Sequence, residues 1–229
     1  MDTIRDNWER VRERLAAAAK RTGRDLCDIA VVAAAKTRTP TEIEAAVRSG
    51  IRMVGENRVQ EAEEKRDRVG VAAEWHFVGH LQSNKARKAV TLFDMVQSVD
   101  SQRLAEALDL RAGQANRVLD VLVQVNTSGA TSQSGVPPDQ ALDLAVRVAG
   151  MPHLRLRGLM TIGAFDPDEA VVRASFARLR RLDDELGALP AAGAQTRYLS
   201  MGMSGDFEWA VEEGANMVRL GTVLFGPRT

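Results

Sequence analysis

Of 229 residues only one is a cysteine, Cys27. That excludes an intramolecular disulfide and any metal cluster built on several thiolates, and it fits a reducing compartment. Placed just ahead of a short apolar run, Cys27 itself reads as a small buried hydrophobe. An excess of charge is missing too: 31 Lys and Arg balance 31 Asp and Glu. No general attraction to polyanions is therefore expected, which disfavours nucleic acid and anionic membrane as partners. The basic clusters Lys85-Ala86-Arg87-Lys88 and Arg178-Leu179-Arg180-Arg181 fall on helix-like segments and read as solvated faces. No apolar run approaches membrane-spanning length, and residues 1–6 carry no apolar signal core, so a cytoplasmic protein is expected. The three histidines, His76, His80 and His153, do not make a metal site. No Gly-rich dinucleotide fingerprint follows the first apolar run and no Walker-type loop occurs anywhere, which weighs against an open doubly wound sheet and against a nucleoside triphosphate ligand.

What the chain does have is alternation. Strand-like apolar runs fall at residues 29–35, 51–55, 74–79, 93–99, 118–125, 154–160, 198–200 and 216–220. The most continuous of them read as parallel strands buried on both faces. Segments with helical spacing lie between them. Thr39 and Glu42 form a capping box around Pro40, and Gly50 stops that helix. Asp166-Pro167-Asp168-Glu169 repeats the cap-Pro-acid pattern before a long helix carrying Val172, Phe176, Leu179, Leu182 and Leu186. Glu56 opens a helix whose charged outer face includes Glu63, Glu64, Lys65, Arg66 and Asp67. Asp100 and Ser101 can cap the helix of Leu104 and Leu108, which Gly113 closes. Residues 127–136, rich in Ser, Thr and Gly, form the longest polar break and read as a surface loop. Ahead of the first strand, Ile4, Trp8, Val11, Leu15 and Ala18 recur at helical spacing, and this helix would cover the fold rather than join its repeat. Eight alternations without a linker predict one α/β domain over residues 1–229: a (β/α)8 TIM barrel with an additional N-terminal helix.

Ligands of such barrels bind at the carboxyl ends of the strands, and the first run ends there on Lys36. An ammonium packed among Val and Ala side chains loses solvation and its pKa falls, which makes a lysine nucleophilic toward carbonyls; the alternative is a strand-end lysine that only snorkels to water. The loops after the seventh and eighth strands read Ser200-Met201-Gly202-Met203-Ser204-Gly205 and Arg219-Leu220-Gly221-Thr222. Their glycines admit close approach of backbone N–H groups to an anion, and their hydroxyls add donors, as in a phosphate cradle. A carbonyl-seeking lysine opposite a phosphate cradle calls for a ligand with an aldehyde at one end and a phosphate ester at the other, and pyridoxal 5′-phosphate fits.

The same residues carry a resemblance. Val32-Ala33-Ala34-Ala35-Lys36-Thr37, Gly55-Glu56-Asn57-Arg58-Val59-Gln60-Glu61, the stretch from Trp75 to Lys85, Arg157-Gly158-Leu159-Met160, and the two donor loops are similar to those of the pyridoxal phosphate homeostasis protein family over nearly the whole chain. The resemblance implies a barrel like the amino-terminal domain of alanine racemase, the fold type III arrangement, with pyridoxal 5′-phosphate bound to Lys36 as a Schiff base. It also implies a cofactor binder and carrier in vitamin B6 homeostasis, without an established catalytic activity, whose partners would be the cofactor and the apoenzymes that use it. By motif, Ser200, Gly202, Ser204, Gly221 and Thr222 would hold the phosphate, Asn57 and Met160 would lie beside the cofactor, and His80 would sit near the mouth. Arg219 would face the pyridine nitrogen, where it donates a hydrogen bond but cannot protonate the ring, so the ring is a weak electron sink. Two positions depart from the pattern: Gln133-Ser134-Gly135 stands where relatives often have Lys-Ser-Gly, and Arg58 where an aromatic is frequent. The competing function is a pyridoxal phosphate-dependent amino-acid racemase, which needs a base on each face of the substrate. Lys36 supplies one; Tyr198, the only tyrosine, is a poor second, and the chain's end at Thr229 leaves no room for the second domain of alanine racemase. With no exposed apolar stripe left unassigned, a monomer is expected.

Overall fold

The computed structural model describes residues 3–190 and 196–227; of the expected 1–229 domain, residues 1, 2, 191–195, 228 and 229 lie outside them. Eight parallel strands close into a barrel in sequence order: β1 (Ala30–Ala34), β2 (Met53–Glu56), β3 (Glu74–Phe77), β4 (Met95–Val99), β5 (Leu119–Gln124), β6 (Leu154–Met160), β7 (Tyr198–Ser200) and β8 (Met217–Leu220). The ring closes between β1 and β8, where Val32 stands opposite Arg219. The expected (β/α)8 barrel is therefore present. Strand alternation sorts the side chains of β1: Val31, Ala33 and Ala35 join the core under the helices, while Ala34 and Lys36 face a cavity at the mouth. Inside the barrel a separate small cluster of Met95, Leu122 and Met160 packs with Tyr198.

The outer helices are α1 (Ile4–Arg21), α2 (Pro40–Arg48), α3 (Val59–Lys65), α4 (Ala86–Leu92), α5 (Gln102–Gln114), α6 (Ala141–Ala149), α7 (Glu169–Gly187), α8 (Phe207–Glu212) and α9 (Thr222–Phe225). The capping box at Thr39 and Glu42 is formed, with Pro40 as first helical residue. Replacing such a cap typically costs about 1 kcal/mol. The additional helix α1 buries Trp8, Val11, Leu15 and Ala18 and lies against α2, α8 and α9. It is pinned there by Arg14 on Glu208 and Arg21 on Glu212, each at 2.6 Å. No described helix is long and apolar enough to cross a membrane.

Five local expectations are corrected. Glu56 does not open a helix: it is the last residue of β2 and is fully buried, and α3 begins at Val59. Lys65 is not on the solvated face of that helix but buried, because its ammonium is drawn to Glu56 at 2.7 Å. Cys27 is exposed: it lies in a short turn, Leu26–Asp28, closed by Asp25 and Asp28 before the chain enters the barrel wall. Gly113 does not end α5, which continues to Gln114; a Cβ there would lie 2.8 Å from the His153 ring. The cap of α7 is Asp168, whose side chain accepts from the Ala170 N–H, while Asp166 braces the turn by accepting from Asp168.

Candidate functional site

At the carboxyl end of the barrel a cavity of about 420 Å³ is lined by Ala34 of β1 with Lys36 and Arg38 just after it, Asn57 after β2, Phe165 after β6, Met203, Ser204 and Gly205 after β7, and Arg219, Gly221 and Thr222 of β8 and its loop. The Lys36 amine is half-buried and has no hydrogen-bond or ion partner among the described residues. Facing it, the two donor loops are tied into one unit by Ser204. Its Oγ accepts from Gly221 N at 3.1 Å and Val223 N at 3.4 Å. With its lone pairs so used, its own O–H is left to donate outward.

Arg219 anchors the cavity from inside the barrel. Only 6% of it is exposed, and its guanidinium donates to Ser200 Oγ and to the Thr161 carbonyl, both at 2.7 Å. Ser200 Oγ donates to Gln97 Oε1 at 2.7 Å. Gln97 Nε2 then donates to His76 Nδ1 at 2.7 Å. An acceptor at Nδ1 leaves the proton of a neutral imidazole on Nε2, which points at Glu74 Oε1 at 2.9 Å. The chain Arg219→Ser200→Gln97→His76→Glu74 thus runs in one donor direction along the barrel interior, from the mouth to the opposite end. Burial pulls the pKa of Arg219 down to about 10, with the charge of Asp206 opposing. Burial in turn raises Asp206, whose Oδ1 accepts from the Met203 N–H. Arg219 stays a cation at neutral pH although no carboxylate of the described residues touches it.

Six of the ten residues singled out from the sequence meet at this cavity: Lys36, Asn57, Ser204, Arg219, Gly221 and Thr222. Ser200 lies beneath it, fully buried, with its hydroxyl committed to Gln97 and Arg219. Gly202, at φ +93°, seats α8: a Cβ there would come within 2.5 Å of the Ala210 Cβ. Met160 is buried in the barrel's interior cluster. His80 is exposed and lines an adjoining cavity of about 630 Å³ that shares Asn57; its Nδ1 lies 3.1 Å from Asp100. Gln133, at a position where the sequence departs from its pattern, donates to the Gly163 carbonyl at 3.0 Å and so ties the loop after β5 to the loop bearing Phe165. The sequence does not mark Gln97; it marks Glu61 only as part of the Gly55–Glu61 motif and Lys65 only as one of a charged face. A carboxylate ending β2 where an apolar residue should face the helices was the one available signal that Glu56 needs a buried partner.

A closed parallel barrel with a lone amine at the end of its first strand defines a class. The alanine racemase N-terminal domain family matches residues 1–229, and the fold is shared with Clostridium difficile alanine racemase in complex with cycloserine, at a TM-score of 0.80 and 15% identity over 100% of this chain and 60% of that one. Within the class the likeness is closer elsewhere. The pyridoxal phosphate homeostasis protein of Pseudomonas aeruginosa is 41% identical over 229 residues, covering 100% of this chain and 97% of that protein. PipY of Synechococcus elongatus, solved with PLP bound, is 37% identical with a TM-score of 0.81, covering 94% of this chain and 100% of that one. The chain belongs to the pyridoxal phosphate homeostasis protein family.

Proposed function

We propose that the chain binds pyridoxal 5′-phosphate in the mouth cavity, held covalently by Lys36, and serves vitamin B6 homeostasis by storing or delivering the cofactor. The observation that carries this reading is the position of Lys36: half-buried, its amine without a partner among the described residues, across the cavity from the loops joined by Ser204. The donor set fits the cofactor's two ends. When bound, pyridoxal phosphate would supply an aldehyde that condenses with an amine and releases water. Lys36 provides the amine. The Ser204 and Thr222 hydroxyls and the backbone N–H groups of the two loops provide donors for a phosphate, which small loop residues allow to come close. Arg219, fixed from below by Ser200 and the Thr161 carbonyl, offers a donor that does not release its proton to a pyridine nitrogen. Such an arrangement favours retention of the cofactor over carbanion chemistry.

Racemisation draws no support from the geometry. Tyr198 begins β7, at the end of the barrel away from Lys36, between the guanidinium groups of Arg157 and Arg197 at 5.9 and 5.2 Å from its ring. Among the described residues lining the cavity there is no His, Tyr, Cys or carboxylate to serve as a second base beside Lys36. Addition of pyridoxal phosphate is expected to produce a yellow absorbance band, fixed by borohydride as a pyridoxyl group on Lys36 by peptide mapping and abolished in Lys36→Ala. An adduct scattered over surface lysines, or no band, refutes the reading.

A further inference from the structure

Lys36 is followed by a backbone conformation that its neighbour does not favour. Thr37 has φ +65°, one of two non-glycine residues with positive φ among those described, and a β-branched residue avoids this region because its Cβ crowds the backbone. Something must hold it there. Its N–H donates to Glu61 Oε2 at 3.0 Å. The same carboxylate oxygen lies 3.0 Å from the Lys65 ammonium, which also donates to the Ala35 carbonyl at 3.0 Å and to Glu56 Oε1 at 2.7 Å. The Ala35 carbonyl and the Thr37 N–H belong to the two peptide groups on either side of the Lys36 Cα. One ion cluster, built by Glu61 and Lys65 of α3 with Glu56 at the end of β2, therefore grips both peptides that set the direction of the Lys36 side chain. Lys65 is 9% exposed and Glu56 not at all. The cluster is more than a tie between α3 and the barrel wall, since two of its contacts end on the main chain beside Lys36.

We propose that Glu61 and Lys65 are the positioning residues of Lys36, holding Thr37 in the left-handed conformation so that the amine points into the mouth cavity. The inference rests on the cofactor reading above for its purpose, while the clamp itself is testable without cofactor. Glu61→Ala removes the acceptor of the Thr37 N–H, whereas Glu61→Gln keeps one. Glycine adopts positive φ without strain, so Thr37→Gly removes the need for a clamp.

Three readouts decide it. In cofactor-free protein, hydrogen exchange at the Thr37 amide is expected to be protected in the wild type and in Glu61→Gln and unprotected in Glu61→Ala. The rate at which pyridoxal phosphate forms the borohydride-trappable Lys36 adduct is expected to fall about tenfold in Glu61→Ala, the size of a lost hydrogen bond to a charged group. In Glu61→Ala/Thr37→Gly that rate is expected to return to within about threefold of Thr37→Gly alone. Thermal melts confirm that each variant is folded. An unprotected Thr37 amide in the wild type, an adduct rate equal in Glu61→Ala and wild type, or no recovery in the double variant overturns the inference. If the wild type forms no Lys36 adduct, the cofactor reading falls, and the exchange data together with the acylation rate of Lys36 by an amine-selective reagent still judge the clamp: equal rates in Glu61→Ala and wild type refute it.

Discussion

Two sets of polar groups serve the mouth cavity, and they are built on opposite principles. Behind the wall, the ionisable groups of Glu56, Lys65 and Glu61 meet within contact distance beside β1. Inside the barrel, Arg219 is a lone cation whose direct partners are a hydroxyl and a carbonyl, continued through an amide and an imidazole to Glu74. Burial alone does not separate the two, since Glu56 and Lys65 are about as closed off as Arg219. The outer cluster compensates burial with an opposite charge and, through Glu61, reaches partial exposure. A carboxylate packed against Arg219 in the barrel interior would have to be desolvated as well, and it would spend the guanidinium's remaining donors on itself. Neutral partners in one donor direction pair the Ser200 hydroxyl, the Gln97 amide and the His76 ring without adding a carboxylate beside Arg219.

The comparison can be broken most sharply from the inside. Gln97→Leu leaves the Ser200 O–H without its acceptor and His76 Nδ1 without its donor in a closed interior, and two such groups are expected to cost about 2–4 kcal/mol in denaturant unfolding, with weaker cofactor binding as Arg219 loses its fixed position. A loss below about 1 kcal/mol would mean that the interior chain does not hold Arg219. A smaller effect is expected from pH at the outer cluster. Burial tends to raise Glu61, but the Thr37 N–H and Lys65 outweigh it and hold the carboxyl below its usual 4.5. A depressed folded-state value stabilises the fold above 4.5, and that stabilisation is lost as pH falls through the folded value. In Glu61→Gln this part of the acid dependence is expected to flatten, measured as the difference in melting temperature between about pH 6 and pH 3. The smallest effect tests whether charge alone is enough. Arg58 reaches Glu61 at 3.8 Å with its side chain 69% exposed, so Arg58→Ala is expected to change unfolding free energy by at most about 0.5 kcal/mol. A larger loss would show that exposed charges share the work of the buried cluster.

The barrel and the residue at its mouth were legible because their signals are local. Runs such as residues 29–35 have no polar residue to offer a solvated face, capping residues mark where helices begin, and Lys36 interrupts an apolar stretch. The errors share one cause. Glu56, Lys65 and Cys27 were assigned to surface or core by residue type and local spacing, but a strand end, a buried partner and a turn placed them otherwise. Gly113 looked like a helix stop because glycine usually ends helices; here the space it leaves is filled by His153, 40 positions on in the numbering.

By itself the sequence determined the eightfold alternation, the strand that delivers Lys36, and the small donor-rich loops of β7 and β8, since periodicity, capping and backbone permissiveness are properties of neighbouring residues. Only the tertiary structure decided that Gln97 and His76 stand behind Arg219 and that Glu61 and Lys65 stand behind Lys36. Gln97 and Ser200 are separated by 103 positions, and Lys65 reaches Ala35 across 30. A hydrogen bond is specified by the meeting of two groups a few ångströms apart, and along an unfolded chain nothing marks such partners as a pair until the barrel closes and brings them together.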